Sequence, residues 1–573
     1  MKVGRVVREL RAKKRTKGGG RGRYRTVILE EPREGELRVR RRKARRGHGG
    51  EQAKRNPTPG GTTNTPLNYT RLFSATHQRH IQLNVKKPVL RAAKKRKRYA
   101  IGSSMWRGGV VVGYGGIGGA SVAHFLRSYS DPQTVGQITI FERHGVVGGR
   151  MATVTIAGET FEAGASILHP KNYHALNYTK YLNLQVKQPK HADDSLSLGI
   201  WDGHKFVYKT LNSNSKLPIV QHFVAIANSI VMLLRYGVFS LLRMSSFVEA
   251  TVNKFLRYYE GFESRPVFES VEGMLKWAGL YNLTTRTLGE ELVNVGLSPI
   301  LIQELVTVIT RINYGQSVNI SGLAGAVSLA GSGGGLWSVE GGNWQMAAGL
   351  INRSEVVLHL HEEIESISYL GDVYELNSTK GKSYNCQVAV VATPLDELNI
   401  LFDPAISIPP RKLQHTYATF VRGLLNPAYF GLDSLSDIPE LVGTTETADV
   451  PFSSISILKQ HEKDMTYKIF SREPLADALL EDIFSVRVET IKINWAAYPH
   501  YQAPETYAPF ILDGKHLYYV NAFENAASTM ETSAVAAENI ARLILSRLSQ
   551  QVHYSSTNLK SFTSDSSKLH VEL

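Results

Sequence analysis

The feature that most constrains the fold is Gly109-Val110-Val111-Val112-Gly113-Tyr114-Gly115-Gly116-Ile117-Gly118-Gly119, an apolar run that breaks into clustered glycines. A helix-compatible run follows over 120–129, then a second β-type run over 137–141 that ends at Glu142. Strand, glycine turn, helix, strand and acid is the order of a βαβ dinucleotide-binding unit. Glycines let the backbone approach a pyrophosphate, the helix N-terminus faces the phosphates, and the acid reaches a ribose hydroxyl pair. The plainer alternative is a glycine-rich loop in a sheet protein. Read literally, the GxGxxG spacing falls on Gly113, Gly115 and Gly118.

At 573 residues the chain holds about two to four domains. Its net charge of +17 is unevenly placed: residues 1–100 carry 31 Lys and Arg against 6 Asp and Glu, leaving the remainder mildly acidic. The basic character belongs to an extension, residues 1–105, whose like-charge blocks at 38–46 and 91–98 repel and do not fold alone. It reads as a disordered, solvated tail or a non-native extension of the reading frame. Nucleic-acid binding, a membrane-surface contact or a nuclear address are the functional alternatives. Without zinc spacing, an RNA-binding signature or aromatic interleaving, a nucleic-acid partner is not expected.

The single cysteine, Cys386, excludes an intrachain disulfide and a Cys-rich metal site. Glycosylation sequons begin at Asn68, Asn177, Asn282, Asn319, Asn352 and Asn377 and suit a lumenal protein. No uncharged apolar stretch reaches about 18 residues, so no transmembrane helix is expected. The N-terminus also lacks the apolar core of a signal peptide.

After Glu142, the turn Gly148-Gly149-Arg150 leads into a β-hairpin with Ala157-Gly158 at its tip. The apolar residues 217–242 read as a buried helix pair, or as a lining for a greasy substrate or a surface that sits on a membrane. The glycine-dense stretch 322–342 means close backbone approach, to a ligand or between packed elements. Val388-Ala389-Val390-Val391 reads as a fully buried parallel strand. At the C-terminal end a strand over 517–521 runs into a small-residue helix start, with Ser528 as cap and Glu531 completing a capping box. The helix is expected to about Leu548, followed by a loose tail over 549–573.

The glycine turns, Glu142 and the small-residue helix start near Thr529 together resemble the FAD-dependent amine oxidase and desaturase superfamily. Within it, several stretches look like the prenylcysteine oxidase and farnesylcysteine lyase family. They are Glu142-Arg143-His144 with Gly148-Gly149-Arg150-Met151, Phe161-Glu162-Ala163-Gly164 with Ser166-Ile167-Leu168-His169-Pro170, Arg311-Ile312-Asn313-Tyr314-Gly315-Gln316, the segment 331–344, and the run 519–531. The resemblance covers about 110–548. Aligned on Gly116 and Gly119, the family's first turn glycine falls at Tyr114, so two registers are open.

The resemblance implies an α/β fold: a Rossmann-like FAD-binding domain from residues 108–170, 335–400 and 510–548, with an interleaved α+β substrate domain from 171–334 and 401–509. It implies an FAD-dependent oxidase that cleaves the thioether of farnesylcysteine or geranylgeranylcysteine, with molecular oxygen as acceptor. The products are a prenyl aldehyde, cysteine and hydrogen peroxide. The expected FAD contacts are Gly113, Gly115, Gly116, Gly118, Gly119, Glu142, Arg143, Gly149, Arg150, Ile364, Glu524, Thr529 and Met530. His169 is the candidate for positioning water or the substrate amino acid, with a structural histidine as the alternative. A salt bridge is the alternative role for Arg150. A peripheral membrane contact and a lysosomal, vacuolar or other endomembrane lumen are further expectations. Rival readings are another amine oxidase or desaturase, and a non-catalytic prenyl-binding protein of the Rab GDP-dissociation inhibitor type.

Overall fold

The structure, a computed structural model, describes residues 109–130, 134–187, 197–211, 217–261 and 264–566. The basic extension over 1–105 and the sequon at Asn68 lie outside the described residues.

The chain enters along β1 (Val110–Gly113), turns into α1 (Ile117–Tyr129) and returns along β2 (Ile138–Glu142). The hairpin β3 (Thr153–Ile156) and β4 (Glu159–Glu162) follows, turning through Ala157 and Gly158 at φ +53° and +75° as a two-residue turn requires. Next come α2 (Tyr173–Leu182), α3 (Pro218–Tyr236) and α4 (Val238–Phe255). Beyond a helical stretch that ends at Arg353 lie β5 (Val357–Leu360), β6 (Val388–Val391), β7 (Leu413–Leu425), β8 (Met465–Ser471) and β9 (Phe484–Pro499). β10 (Leu517–Tyr519) and α5 (Met530–Ser566) close the fold.

One five-stranded sheet, in the order β10-β6-β1-β2-β5, is parallel throughout. Its strands are apolar runs because both faces are covered. α1, packed between α5 and the helix Trp344–Arg353, lies on one side. Ile364, Ile367 and Leu376 of a four-stranded sheet join the same core with β1 and β6. Residues between these strands build a seven-stranded sheet in which β7 lies between β9 and β8, continuing through Ser454–Gln460 and Leu441–Thr444 to Leu198–Trp201 and Phe206–Lys209.

Two alternatives narrow and two expectations change. Gly322 and Gly325 take the packing alternative: a Cβ on Gly325 would lie 2.6 Å from Leu288 and one on Gly322 2.7 Å from the Leu283 carbonyl. Residues 217–242 do form two helices, but one face of α3 is open to solvent, because periodicity identifies a helix without saying what covers it. Among the described residues Ile219–Tyr236 is long and apolar enough to cross a membrane; its one charge, Arg235, is the penultimate residue of that stretch. Finally α5 continues to Ser566 where a loose tail is expected, since no glycine or proline interrupts 549–566.

Candidate active site

The first turn settles its own register. Tyr114 takes φ +76°, the left-handed position that a glycine normally fills, and its N–H donates to the Phe141 carbonyl at 2.7 Å. Gly116 precedes the first residue of α1, and a Cβ on Gly119 would lie 2.3 Å from the Tyr114 carbonyl. The turn is therefore Tyr114, Gly116 and Gly119. The literal register is incorrect: Gly113 merely ends β1, and Gly118 faces Val520, whose Cγ1 lies 3.2 Å from where its Cβ would be.

Glu142 is buried beneath this turn, where its carboxylate accepts the N–H of Gly115 at 3.0 Å and of His144 at 2.9 Å. Backbone of the second turn lies directly against the first, with Gly148 bridged to Gly116 and a Cβ on Gly149 only 3.4 Å from the Gly116 Cα. Side chains are excluded, so a cradle of bare backbone results. Arg143 is exposed on its rim, 3.9 Å from Glu363, which also accepts the Tyr114 hydroxyl at 3.0 Å. Ile364 is buried next to Glu363 at the start of its strand.

The Gly118–Val520 contact brings the last strand–helix junction to this cradle. Arg150 donates to the Ala497 carbonyl at 2.7 Å and pairs with Glu524, so in this structure it makes the salt bridge. Arg411 holds the other Glu524 oxygen at 3.2 Å and forks onto Asp396 at 2.7 and 2.8 Å. Burial works to raise the Glu524 carboxyl, but Arg150 and Arg411 hold it below the usual range. The helix cap is Thr529 instead of Ser528. Its hydroxyl accepts the Thr532 N–H at 2.9 Å while the Thr532 hydroxyl accepts the Thr529 N–H at 2.8 Å. Glu531 instead accepts from His174 and Ala175 at the start of α2, at 2.7 and 3.0 Å. Met530 is buried at the head of α5.

Two aromatic residues close the junction. The Tyr314 hydroxyl donates to the Ser528 carbonyl at 2.9 Å, and Tyr501 accepts the Ser528 N–H at 2.7 Å. Gln316 holds Tyr501 through both backbone groups, whereas Arg311 turns away to Thr444 and Glu446.

A second titratable pair lines the wall formed by β4 and β8. Lys468, 6 % exposed, donates to the Glu162 carbonyl at 3.0 Å and the Ser166 hydroxyl at 3.2 Å, above the Phe470 ring. Burial pushes its ammonium down to about 8. Burial raises the Glu162 carboxyl to about 7, against the Asn343 N–H and Lys468; its Oε2 has no hydrogen-bond partner among the described residues. Together they can hold or release a proton near neutral pH. His169 sits apart with Lys171, Asn172 and Trp337: its Nδ1 accepts the Lys171 N–H at 3.1 Å, and burial, then Lys171, lower its pKa.

The structure thus unites Gly115, Gly116, Gly119, Glu142 and Gly149 at one end, and Arg150, Glu524, Thr529 and Met530 at the other. Sequence reasoning missed Arg411, Asp396 and Lys468. Arg411 and Asp396 stand in irregular chain without a motif, and only the apolar neighbours of Lys468, Tyr467 and Ile469, marked it as unusual.

A bare-backbone cradle beside a buried carboxylate fits a dinucleotide. The NAD(P)-binding Rossmann-like domain model matches residues 111–182, and the prenylcysteine lyase model matches 219–557. The chain is 65 % identical over 452 residues to farnesylcysteine lyase of Arabidopsis thaliana, covering 78 % of this chain and 90 % of that one. It is 36 % identical over 464 residues to prenylcysteine oxidase 1 of Homo sapiens, covering 75 % and 88 %. A putrescine oxidase redesigned in its cofactor binding superposes with TM-score 0.50 at 12 % identity, covering 77 % of this chain and 99 % of that structure, a likeness of fold alone. With its Rossmann-like unit and a family match across most of the remaining body, the chain belongs to the prenylcysteine lyase family.

Proposed function

We propose that the protein is an FAD-dependent oxidoreductase that cleaves the thioether of farnesylcysteine or geranylgeranylcysteine. Prenylcysteine, water and oxygen give a prenyl aldehyde, free cysteine and hydrogen peroxide: the carbon next to sulfur loses two electrons, and oxygen gains them. The observation that carries the reading is the bare-backbone cradle meeting the Glu524 junction, in a chain 65 % identical to a farnesylcysteine lyase.

When bound, FAD supplies the two-electron acceptor. Gly115, Gly116 and the start of α1 would hold its pyrophosphate and Glu142 a ribose. Arg150 and the head of α5 would hold the flavin end. Glu524 and Arg411 fix the Arg150 guanidinium in place. Tyr314 and Tyr501 close the junction against water, and the Glu162–Lys468 wall holds a proton at Glu162 Oε2 or Lys468 Nζ, within reach of neutral pH. Purified protein is expected to be yellow and to release peroxide with farnesylcysteine. A colourless preparation that FAD cannot reconstitute overturns this reading.

An endomembrane lumen, lysosomal or vacuolar, is the location that fits the sequons: Asn177, Asn282, Asn319 and Asn352 are all exposed, while Asn377 is engaged with Ser366 and Ser383. A mobility shift on glycosidase treatment of protein from its native cell tests this, and absence of glycan at all four counts against it.

A further inference from the structure

We propose that α3 and α4 dock the protein on a lipid bilayer, with α3 lying along the headgroup–acyl boundary and not crossing it. The outward residues of α3 are Ile219, Phe223, Ile226, Ile230 and Leu234, spaced by 4, 3, 4 and 4, so a helix sets them in one stripe. Ile219 and Phe223 are each 65 % exposed and Leu234 80 %; Phe239, just past the Gly237 bend, is 74 % exposed. A soluble helix of 19 residues turns its apolar stripe inward, whereas this one presents an apolar stripe about 22 Å long outward.

Three further observations select a bilayer as occupant. Charge is the first. Residues 217–248 contain no Asp or Glu, although the body after residue 100 is net acidic. Lys209 and Arg243 stand exposed at the margin, Lys209 reaching the Asp437 carbonyl at 3.3 Å and Arg243 the Gly296 carbonyl at 2.6 Å. Glu304, which meets the end of α3, is occupied by Arg235 at 2.8 and 2.6 Å and by the Tyr236 hydroxyl at 2.9 Å, and the first acid of α4, Glu249, comes after this stretch. An acid-free apolar face rimmed by cations complements phospholipid headgroups.

Attachment is the second. The inward residues Met232, Leu233 and Tyr236 pack into the apolar cluster of Leu301, Leu305 and Ile309, and Asn228 pairs with both backbone groups of Leu211 at 2.6 and 2.9 Å. The helix is fixed to the body through its C-terminal half, from Asn228 to Tyr236, which suits lying on a membrane and not spanning it.

Continuity is the third. The same cluster extends to Tyr314 and Tyr501, the residues that bond Ser528 at the junction. Apolar packing therefore runs unbroken from the docking face to the site. Resting on the proposed reaction, this places a prenylcysteine, an amphiphile that partitions into bilayers, beside the body that must receive it.

The test is co-sedimentation of the full chain with phosphatidylcholine vesicles, comparing wild type with Phe223→Ser/Leu234→Ser/Phe239→Ser. Neutral vesicles are essential, because the basic residues 1–100 would hold anionic ones unaided. The wild type is expected to sediment with the vesicles, and the triple variant to lose about tenfold or more in partition. Peroxide release from dispersed farnesylcysteine stays unchanged, because all three side chains are on the outer surface. Equal partition of both proteins, or none by the wild type, overturns the docking. So does a lipid-free wild-type dimer that the variant dissolves in light scattering, which would make a second copy the occupant. No peroxide from either protein, with the partition difference intact, would overturn the reaction and leave the docking standing.

Discussion

At the first glycine turn the candidate cleft is made of backbone, with Gly116 packed against Gly148 and Gly149 and a single carboxylate, Glu142, holding the Gly115 N–H beneath them. At the last junction it is made of charged side chains, Arg150, Asp396 with Arg411, and Glu524, from three chain segments more than a hundred residues apart. A backbone surface depends on local conformation and tolerates little but glycine. A charge network depends on every partner arriving, and it fails as a unit when one is removed.

The largest effect should follow from breaking the network. Arg411→Leu leaves Asp396 and Glu524 buried with a partner missing, which costs about 3–5 kcal/mol. Denaturant unfolding measures it, and a loss under about 1 kcal/mol would mean that the junction does not rest on these pairs.

The wall beside the junction gives a pH test of about 2 kcal/mol or less, after allowing for its partial exposure to solvent. Glu162 is raised from 4.5 to about 7, so between those values the native state keeps a proton that the unfolded state has released. Its contribution is fully present below about 4.5 and is lost as pH rises through about 7. Thermal melting of Glu162→Gln should therefore show a shallower decline from pH 5 to 7 than wild type. A decline as steep as wild type's would place the titration elsewhere.

This contrast also explains what could be read from sequence. The order of β1, α1, β2 and Glu142 is local, so strand, turn, helix and acid were all visible, as was β6 from its unbroken apolar run. The Arg150–Glu524 pairing was not, although both residues were named as cofactor contacts, because nothing in the sequence says that two candidates will meet. Thr529 took the cap from Ser528 because Glu531 was drawn to the start of α2, a tertiary competitor invisible to a four-residue motif. The sequence left α3 open between a buried helix and a membrane-facing surface for a related reason: an apolar period looks alike facing inward or outward.

On the backbone side, Glu142→Gln keeps one oxygen but loses the charge that takes the Gly115 and His144 N–H groups. The expected cost is about 1–2 kcal/mol in FAD binding, roughly a tenfold weaker dissociation constant. Fluorescence titration of the apoprotein reads it. Unchanged affinity would remove Glu142 from the ribose.

The smallest effect is the sharpest test of the turn itself. Tyr114 holds a conformation that costs an L residue about 1 kcal/mol, yet its ring is buried and its hydroxyl bonds Glu363. Tyr114→Gly relieves the strain and loses the ring, for a net destabilisation of about 1 kcal/mol, with FAD affinity changed by less than about twofold. Tyr114→Ala loses the same ring but keeps the left-handed backbone. Because Tyr114 sits at φ +76°, alanine must melt below glycine, by about 1 kcal/mol. Were alanine the more stable, as it is wherever φ is negative, the turn would start at Gly113 after all and the backbone half of the cleft would be in the other register.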